Sequence, residues 1–373
     1  MFRTSLLCAA LLGSAAGQGT VVGIEQERIP FQNGSVGATF SSQIGTLTYI
    51  QTLRLRHSVQ DVFAGDKLRF TSIAVAEDGS ELLAVSSDQG GHFVTLDIQQ
   101  TDGDEYKIAT ATVYSLVGPD GKKLNVVAPT GTVPPLFDID GEDLNLPASM
   151  SLAVNGTYRR GGQGDFTVAY LAERLEALRF PSGVSTRNST LLDVPDLYSV
   201  CDSLAATITR LNPRGDLLGI CQWPAMVSRH PYHGIPGFIC AWVHSGNTFH
   251  HFLVETIFGY NPSAVAALKN GDLMIAFVVH SNPKNLRIAY VTSAELTESI
   301  NTGKTLNPLI IADIDQAEGF EIGVQSAMAV REDPESGRIM VYSMSDDEFS
   351  PQETLLTTFE WTPIREPRLS SPP

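Results

Sequence analysis

The feature that most constrains this chain is a unit of short strands that recurs along it. Residues 72–98 read SIAVAEDGSELLAVSSDQGGHFVTLDI: an Ala-rich strand, a turn with Gly, a second apolar strand, a polar loop and a third strand. Related stretches start at Ser151 (SLAVNG, then DFTVAYLAERLEALRF), Ala205 (AATITRLNPRGDLLGICQW), Ala264 (AVAALKNGDLMIAFVVHSNPKNLRIAYV) and Ala327 (AMAVREDPESGRIMVYSMSDDEF, then TLLTTFEW). The anchors at 151, 205, 264 and 327 are 54, 59 and 63 residues apart, a mean of about 59. The longer first gap, 72 to 151, accommodates the Pro/Asp-rich stretch 127–146. Strands this short cannot bury their faces alone, so each unit must stack on its neighbours, and a β-propeller is the closed form of such an array. A sandwich would also contain many short strands but would not impose the period. The expectation is all-β: a single β-propeller of about six blades, six being the chain length divided by the repeat. A short helix is expected only near residues 293–300.

Residues 1–17 (MFRTSLLCAALLGSAAG) carry one basic residue, an apolar run and small residues before Gln18, the pattern of a signal peptide. Residues 18–373 then form the propeller domain, which is expected to be secreted, extracellular and monomeric. No later apolar run is long enough to cross a bilayer, so no membrane anchor is expected. Sequons at Asn33, Asn155 and Asn188 fit a glycoprotein. Net charge is −16 over 373 residues, and −17 once Arg3 leaves with the leader. Such a chain repels phosphate backbones, which excludes nucleic acid as a partner unless a cation intervenes. With 43% hydrophobic residues it has the material for a core. Removal of Cys8 leaves Cys201, Cys221 and Cys240. Cys201 and Cys221 end consecutive apolar runs and are the first choice for a disulfide, with three buried thiols as the alternative.

Several segments resemble the phytase-like family, described as esterase-like activity of phytase, over roughly Phe70 to Trp361. The stretch AMAVREDPESGRIMVYSMSDDEFSPQETLLTTFEW is similar to the family's closing blade, and FTSIAVAEDGSELLAVSSDQGG to its opening S-G-L-A strand with a Ser-Asp loop. AYLAERLEALRFPSG and NPSAVAALKNGDLMI resemble two intermediate segments. The resemblance implies a metal-assisted hydrolase acting on a small-molecule phosphoric or carboxylic ester. Where the family places channel-facing Glu residues, this chain has Met150, Ala205 and Ser326, and further outward Gln222 and Phe277. The loss of inner carboxylates implies the alternative, a catalytically degraded propeller that binds a ligand or a protein.

Phosphoester hydrolysis by such a channel requires carboxylates that hold a divalent cation, and hard oxygen ligands suit Ca²⁺. The candidate metal ligands are Asp88 in SSDQGG, Glu173 in LAERL, and Asp346 and Asp347 in SMSDDEF, each after an apolar strand of its repeat. Arg159 and Arg160 form the sharpest basic pair, and with His230 and His233 of RHPYHG they are the candidate substrate-binding residues. His250 and His251, adjacent on a strand, face opposite ways and cannot share one ion. A second acidic cluster, Asp138, Asp140, Glu142 and Asp143, opens like a Ca²⁺ loop but lacks the closing Glu. No G-x-S-x-G elbow is present, so a serine esterase is ranked low.

Overall fold

The computed structural model describes residues 19–33, 37–57, 70–86, 91–101, 103–124, 136–137, 143–144, 150–171, 175–194, 206–211, 215–222, 237–256, 259–279, 284–346 and 354–364. The chain opens with β1 (Thr20–Val22), β2 (Ile24–Ile29), β3 (Thr39–Ser41) and β4 (Gly45–His57). Blade 1 follows with β5 (Phe70–Val75), β6 (Glu81–Ser86), β7 (His92–Gln100) and β8 (Tyr106–Ser115). A two-residue hairpin, β9 (Leu136–Phe137) and β10 (Asp143–Leu144), precedes blade 2, which holds β11 (Met150–Arg159), β12 (Gln163–Leu171), β13 (Leu175–Phe180) and β14 (Thr190–Leu191). Blade 3 comprises β15 (Ala206–Leu211), β16 (Asp216–Cys221), β17 (Phe238–Ser245) and β18 (Thr248–Glu255). Blade 4 comprises β19 (Asn261–Ala267), β20 (Leu273–Val279), β21 (Asn285–Val291), the helix α1 (Ser293–Thr302) and β22 (Leu309–Asp315). The last strands are β23 (Val324–Glu332), β24 (Ile339–Asp346) and β25 (Thr354–Pro363).

These strands form five antiparallel blades around an axis, with β5, β11, β15, β19 and β23 innermost and each in contact with the next. The expected count of about six blades is therefore corrected to five. The five inner strands coincide with the five sequence anchors. The residues counted toward a sixth blade do other work. β4 pairs with β25 over nearly its whole length, and β2 with β4, so the N-terminal segment supplies the outer strands of blade 5. β1 pairs instead with β8, the outer strand of blade 1. One segment thus ties the last blade to the first.

The core lies between blades. Second strands are buried on both faces: β6 (ELLAVS) is buried at every position, and β20 (LMIAFVV) at every position but its last. Sandwiched strands of this kind read as unbroken apolar runs, whereas outer strands such as β8 alternate with solvent. Every turn from first to second strand includes a glycine at positive φ, among them Gly79 (73°) and Gly271 (89°), a conformation that costs other residues. The helix expected near 293–300 is present, closed by a capping box between Thr292 and Glu295, with Leu296 buried in the core between blades 3 and 4.

Inner strands cannot share a β-ladder with the next blade, so their inward backbone groups need other partners. Serines supply four of them. Leu152 N–H donates to Ser72 Oγ (3.0 Å) and Ile208 N–H to Ser151 Oγ (2.9 Å). Ser263 Oγ donates to the Gln325 carbonyl (2.7 Å) and Ser326 Oγ to the Phe70 carbonyl (2.6 Å). These bonds join blade 1 to 2, 2 to 3, 4 to 5 and 5 to 1. Ser326 is thereby placed as a stitch between blades, and Met150 is fully buried between blades 1 and 2 rather than facing the channel as the resemblance implied. Ser151→Ala would leave the buried Ile208 N–H unmatched and is expected to lower unfolding free energy by about 1–3 kcal/mol. Urea denaturation measures this, with exposed Thr297→Ala as the near-neutral comparison.

Candidate functional site

Each inner strand starts at one rim of the ring, here the upper rim, and ends at the lower. Near the lower ends the axis widens into a cavity of about 370 Å³ walled by all five inner strands. Blades 1, 2, 4 and 5 give it apolar walls, with Ile73, Leu152, Val265 and Met328 buried and Val75, Val154, Ala267 and Val330 half-buried, while Thr157, Tyr158 and Thr209 add hydroxyls. The small residues Ala74, Ala153, Ala266 and Ala329 let the strands approach one another. Charge enters at the rim, through Glu77, Arg210, Lys269, Arg331 and Glu332.

The rim cations close their strands in three repeats: ATITR, AVAALK and AMAVR. Arg210 Nη1 donates to the Gly215 carbonyl and Nη2 to Thr167 Oγ1, both at 2.9 Å, while its buried Nε has no partner. Burial pushes its pKa below the ordinary arginine value, against the opposing pull of Asp165. Arg331 Nη1 donates to Asp333 (3.2 Å), and its Nε is likewise buried and unmatched. Its guanidinium lies so close to Gly79 that a Cβ there would meet it at 2.8 Å, which brings blade 5 against the first turn of blade 1. Lys269 is exposed, and its backbone N–H donates to the Glu332 carboxylate of the next blade.

Between blades 1 and 2, close to this rim, Glu81 is a buried carboxylate at 3% exposure. It accepts from the Tyr158 hydroxyl, from Gly161 N–H (3.0 Å) and from Gly162 N–H (2.9 Å). A buried charge is tolerable only when matched in this way. Burial, followed by the Glu81 charge, raises the Tyr158 pKa far above that of free tyrosine.

Of the residues expected from sequence, Asp88, Glu173, Asp347, His230 and His233 lie outside the described residues, as do Asp138, Asp140 and Glu142. Asp346 ends β24 opposite Val324, at the upper rim. Four residues of strand, about 13 Å, separate that level from Met328 in the cavity wall. Arg160 is held on the outside of the ring by Asp97, through Nε (3.2 Å) and Nη2 (3.1 Å), and Arg159 is exposed on the same turn. The pair is therefore set apart from the axial cavity. His250 and His251 do face opposite ways, opposite Val243 and Trp242. Cys221 and Cys240 are both buried, in the core around blade 3, and Cys201 lies outside the described residues. Asn155 donates its amide to Asp165 (2.9 Å), and the exposed Asn188 donates its own to the Pro119 carbonyl (3.4 Å). Among the described residues no group of three or more His, Cys, Asp or Glu is placed to hold a metal ion, and no helix is long and apolar enough to cross a membrane.

Sequence reasoning missed the cationic rim and the serine stitches. Both leave a signal, a base at the end of the inner strand in three repeats and a serine at its start in four (Ser72, Ser151, Ser263, Ser326).

No family model matches the chain, and no curated protein matches it closely. It is similar to solved structures at low identity. The tail fiber of Staphylococcus aureus phage P68 is 11% identical over 81% of this chain and 52% of that one, with a TM-score of 0.39. A DUF4623 family protein from Bacteroides eggerthii is 11% identical over 92% and 77%, with a TM-score of 0.37. The RRP9 WD40 repeats are 11% identical over 89% and 100%, with a TM-score of 0.35. The chain spans about half the length of the phage tail fiber it matches. No statement about activity follows from similarities this remote.

Behind the rim, burial pushes the Asp165 carboxyl up, but bonds from Arg179 (2.6 Å) and Asn155 outweigh it and hold it below the usual carboxylate range. Its stabilising contribution is therefore complete above its unfolded pKa and disappears as pH falls through the lower folded value. Thermal melts between about pH 5 and pH 2.5 should show a shallower acid limb in Asp165→Asn than in wild type, and identical limbs would refute this role.

Proposed function

We propose that this protein is a ligand-binding propeller whose axial cavity takes a small amphipathic molecule, apolar body inward and anionic group at the lower rim. The observation that carries this reading is the pairing of apolar walls from blades 1, 2, 4 and 5 with Arg210, Lys269 and Arg331 at a mouth that also holds Glu77 and Glu332. Apolar walls with a few placed charges are the usual make-up of a small-molecule site. The walls lack the converging oxygen donors that a divalent cation requires. The test uses 8-anilinonaphthalene-1-sulfonate and its uncharged analogue N-phenyl-1-naphthylamine. Saturable one-site binding of the sulfonate is expected, weakened about tenfold or more by the double substitution Arg210→Gln/Arg331→Gln and by the cavity-filling Val330→Trp. Unchanged binding in Val330→Trp, with the melting temperature retained, would overturn the reading.

The phytase-like hydrolase remains a second proposal because of one topological observation. β6, β12 and β24 all finish at the upper rim, so Asp88, Glu173, Asp346 and Asp347 each close or follow a strand that ends there. A Ca²⁺ ion held at that end would be the cofactor, and a phosphorylated or carboxylic ester the substrate. Phosphate release from phytate that depends on Ca²⁺ and is lost in Asp346→Asn supports it. Purified protein that releases neither phosphate nor alcohol from phytate and simple esters, with Ca²⁺, Mg²⁺ or Zn²⁺ present, sinks it.

The secretory reading is proposed with it, supported by the leader pattern, with Cys201 and Cys221, which end consecutive apolar runs, as the pair in the mature chain. Mass spectrometry of protein exported from a glycosylating cell should find an N-terminus at Gln18, a Cys201–Cys221 peptide, and glycan on the exposed Asn188. A reduced Cys201 in native protein contradicts the pairing.

A further inference from the structure

The lower mouth of the axial cavity carries charges of both signs, and closure of the ring sets them apart. Each inner strand touches the next from blade 1 round to blade 5 and back to blade 1. Blades 2 and 5 therefore flank blade 1, and blades 3 and 4 lie across the axis from it. Glu77 follows the inner strand of blade 1, Arg210 lies on that of blade 3 and Lys269 follows that of blade 4. An acid and two bases thus stand on opposite sides of one opening.

These groups do not neutralise one another. Glu77 is exposed, and among the described residues its carboxylate has no hydrogen bond or ion pair. Its backbone is nonetheless held from both sides. Its N–H donates to the Tyr158 carbonyl of blade 2 (3.1 Å), and the Arg331 guanidinium of blade 5 packs on Gly79 of the same turn. Across the axis, Arg210 donates only to neutral oxygens, the Gly215 carbonyl and Thr167 Oγ1, and Lys269 Nζ reaches only the Glu332 carbonyl (3.5 Å). Arg331 is already paired with Asp333, and the Glu332 carboxylate takes the Lys269 backbone N–H. With Asp333 counted, the bases Arg210, Lys269 and Arg331 meet the acids Glu77, Glu332 and Asp333, so the mouth as a whole is close to neutral. A ligand with an anion alone is drawn to Arg210 and Lys269 but opposed by Glu77, whereas a ligand that bears both signs is matched on both sides.

We infer that the axial cavity binds a zwitterion, an α-amino acid with a large apolar side chain, its carboxylate toward Arg210 and Lys269, its ammonium toward Glu77 and its side chain among Ile73, Leu152, Val265 and Met328. Such a molecule keeps both charges at one end and its apolar group at the other, the same division that the cavity shows between mouth and wall. Glu77 and Lys269 are long, exposed side chains that can converge on the two charged groups. A volume of about 370 Å³ lies within the range of small-molecule pockets, about 300–1,000 Å³. The inference rests on the axial reading proposed above and narrows its ligand from an anionic amphiphile to a zwitterionic one.

The experiment titrates intact protein, by calorimetry and saturation-transfer NMR, with L- and D-phenylalanine, with 3-phenylpropionate, which lacks the ammonium, and with 2-phenylethylamine, which lacks the carboxylate. One enantiomer of phenylalanine is expected to bind about fivefold more tightly than either comparison, the margin that one exposed ion pair can supply. Glu77→Gln should remove the margin over 3-phenylpropionate without weakening 3-phenylpropionate itself. Because the Glu77 side chain has no partner, this substitution should leave the melting temperature unchanged. Val330→Trp, which fills the cavity, should weaken every probe. Phenylalanine that binds no more tightly than 3-phenylpropionate, or that keeps its margin in Glu77→Gln, overturns the inference, while 3-phenylpropionate binding that is sensitive to Val330→Trp leaves the axial reading standing. No binding of either enantiomer up to about 50 mM overturns the inference as well. Binding of all probes that is indifferent to Val330→Trp overturns both.

Discussion

Closure of the ring of five inner strands is the constraint on which the rest of this protein depends. A blade hydrogen-bonds internally, but its inner strand faces the axis with backbone groups that no ladder reaches. Ser72, Ser151, Ser263 and Ser326 meet that need by bonding to the backbone of the following blade. The alanines beside them do the complementary steric work, because five strands on a narrow axis leave little room for side chains. A larger residue at Ala153 or Ala327, both essentially buried, would push the ring open and break the adjacent stitch.

A circular array must also join its ends, and here the N-terminal segment does so twice. β4 completes blade 5 by pairing with β25, while β1 lies on the outside of blade 1. A covalently continuous segment shared by two blades means that neither can separate without stripping a strand, which adds cooperativity that stacking alone would not give. Arg338 reinforces the same junction from the rim, binding Glu360 within blade 5 and Asp104 in the turn between β7 and β8 of blade 1.

The repeat was legible in sequence because the physics that makes a blade is local. Apolar runs of four to eight residues, Gly turns and Ala-rich inner strands recur at all five anchors, and each anchor became an inner strand. The blade count failed because dividing length by period assumes that every residue belongs to a unit. Residues 19–57 read as strands just as the units do, and nothing local says that they are spent on closure. The site was less legible for a related reason. Carboxylates in loops draw attention as metal ligands, whereas Arg210, Lys269 and Arg331 are single bases at the ends of apolar strands and look like ordinary solvent-facing punctuation. Only the closed ring brings them to one mouth. Met150 shows the converse, since one-dimensional alignment to a channel position said nothing about which way the strand's pleat would turn it.

The two ends of the axis are chemically unlike, and the difference follows from where each strand of the repeat stops. First strands run from upper to lower rim and in blades 3, 4 and 5 are closed by a base. Second strands run back, and in blades 1, 2 and 5 an acid closes or follows them. The whole chain carries a net charge of −16, and at the lower mouth the three bases sit beside Glu77 and Glu332 against an apolar wall. Charges in such a setting are screened less than charges on an open surface, so a small local excess can outweigh a larger distant one of opposite sign. In the axial reading proposed above, the three bases therefore supply the local field for an anionic group, working against Glu77, Glu332 and the acidity of the chain as a whole.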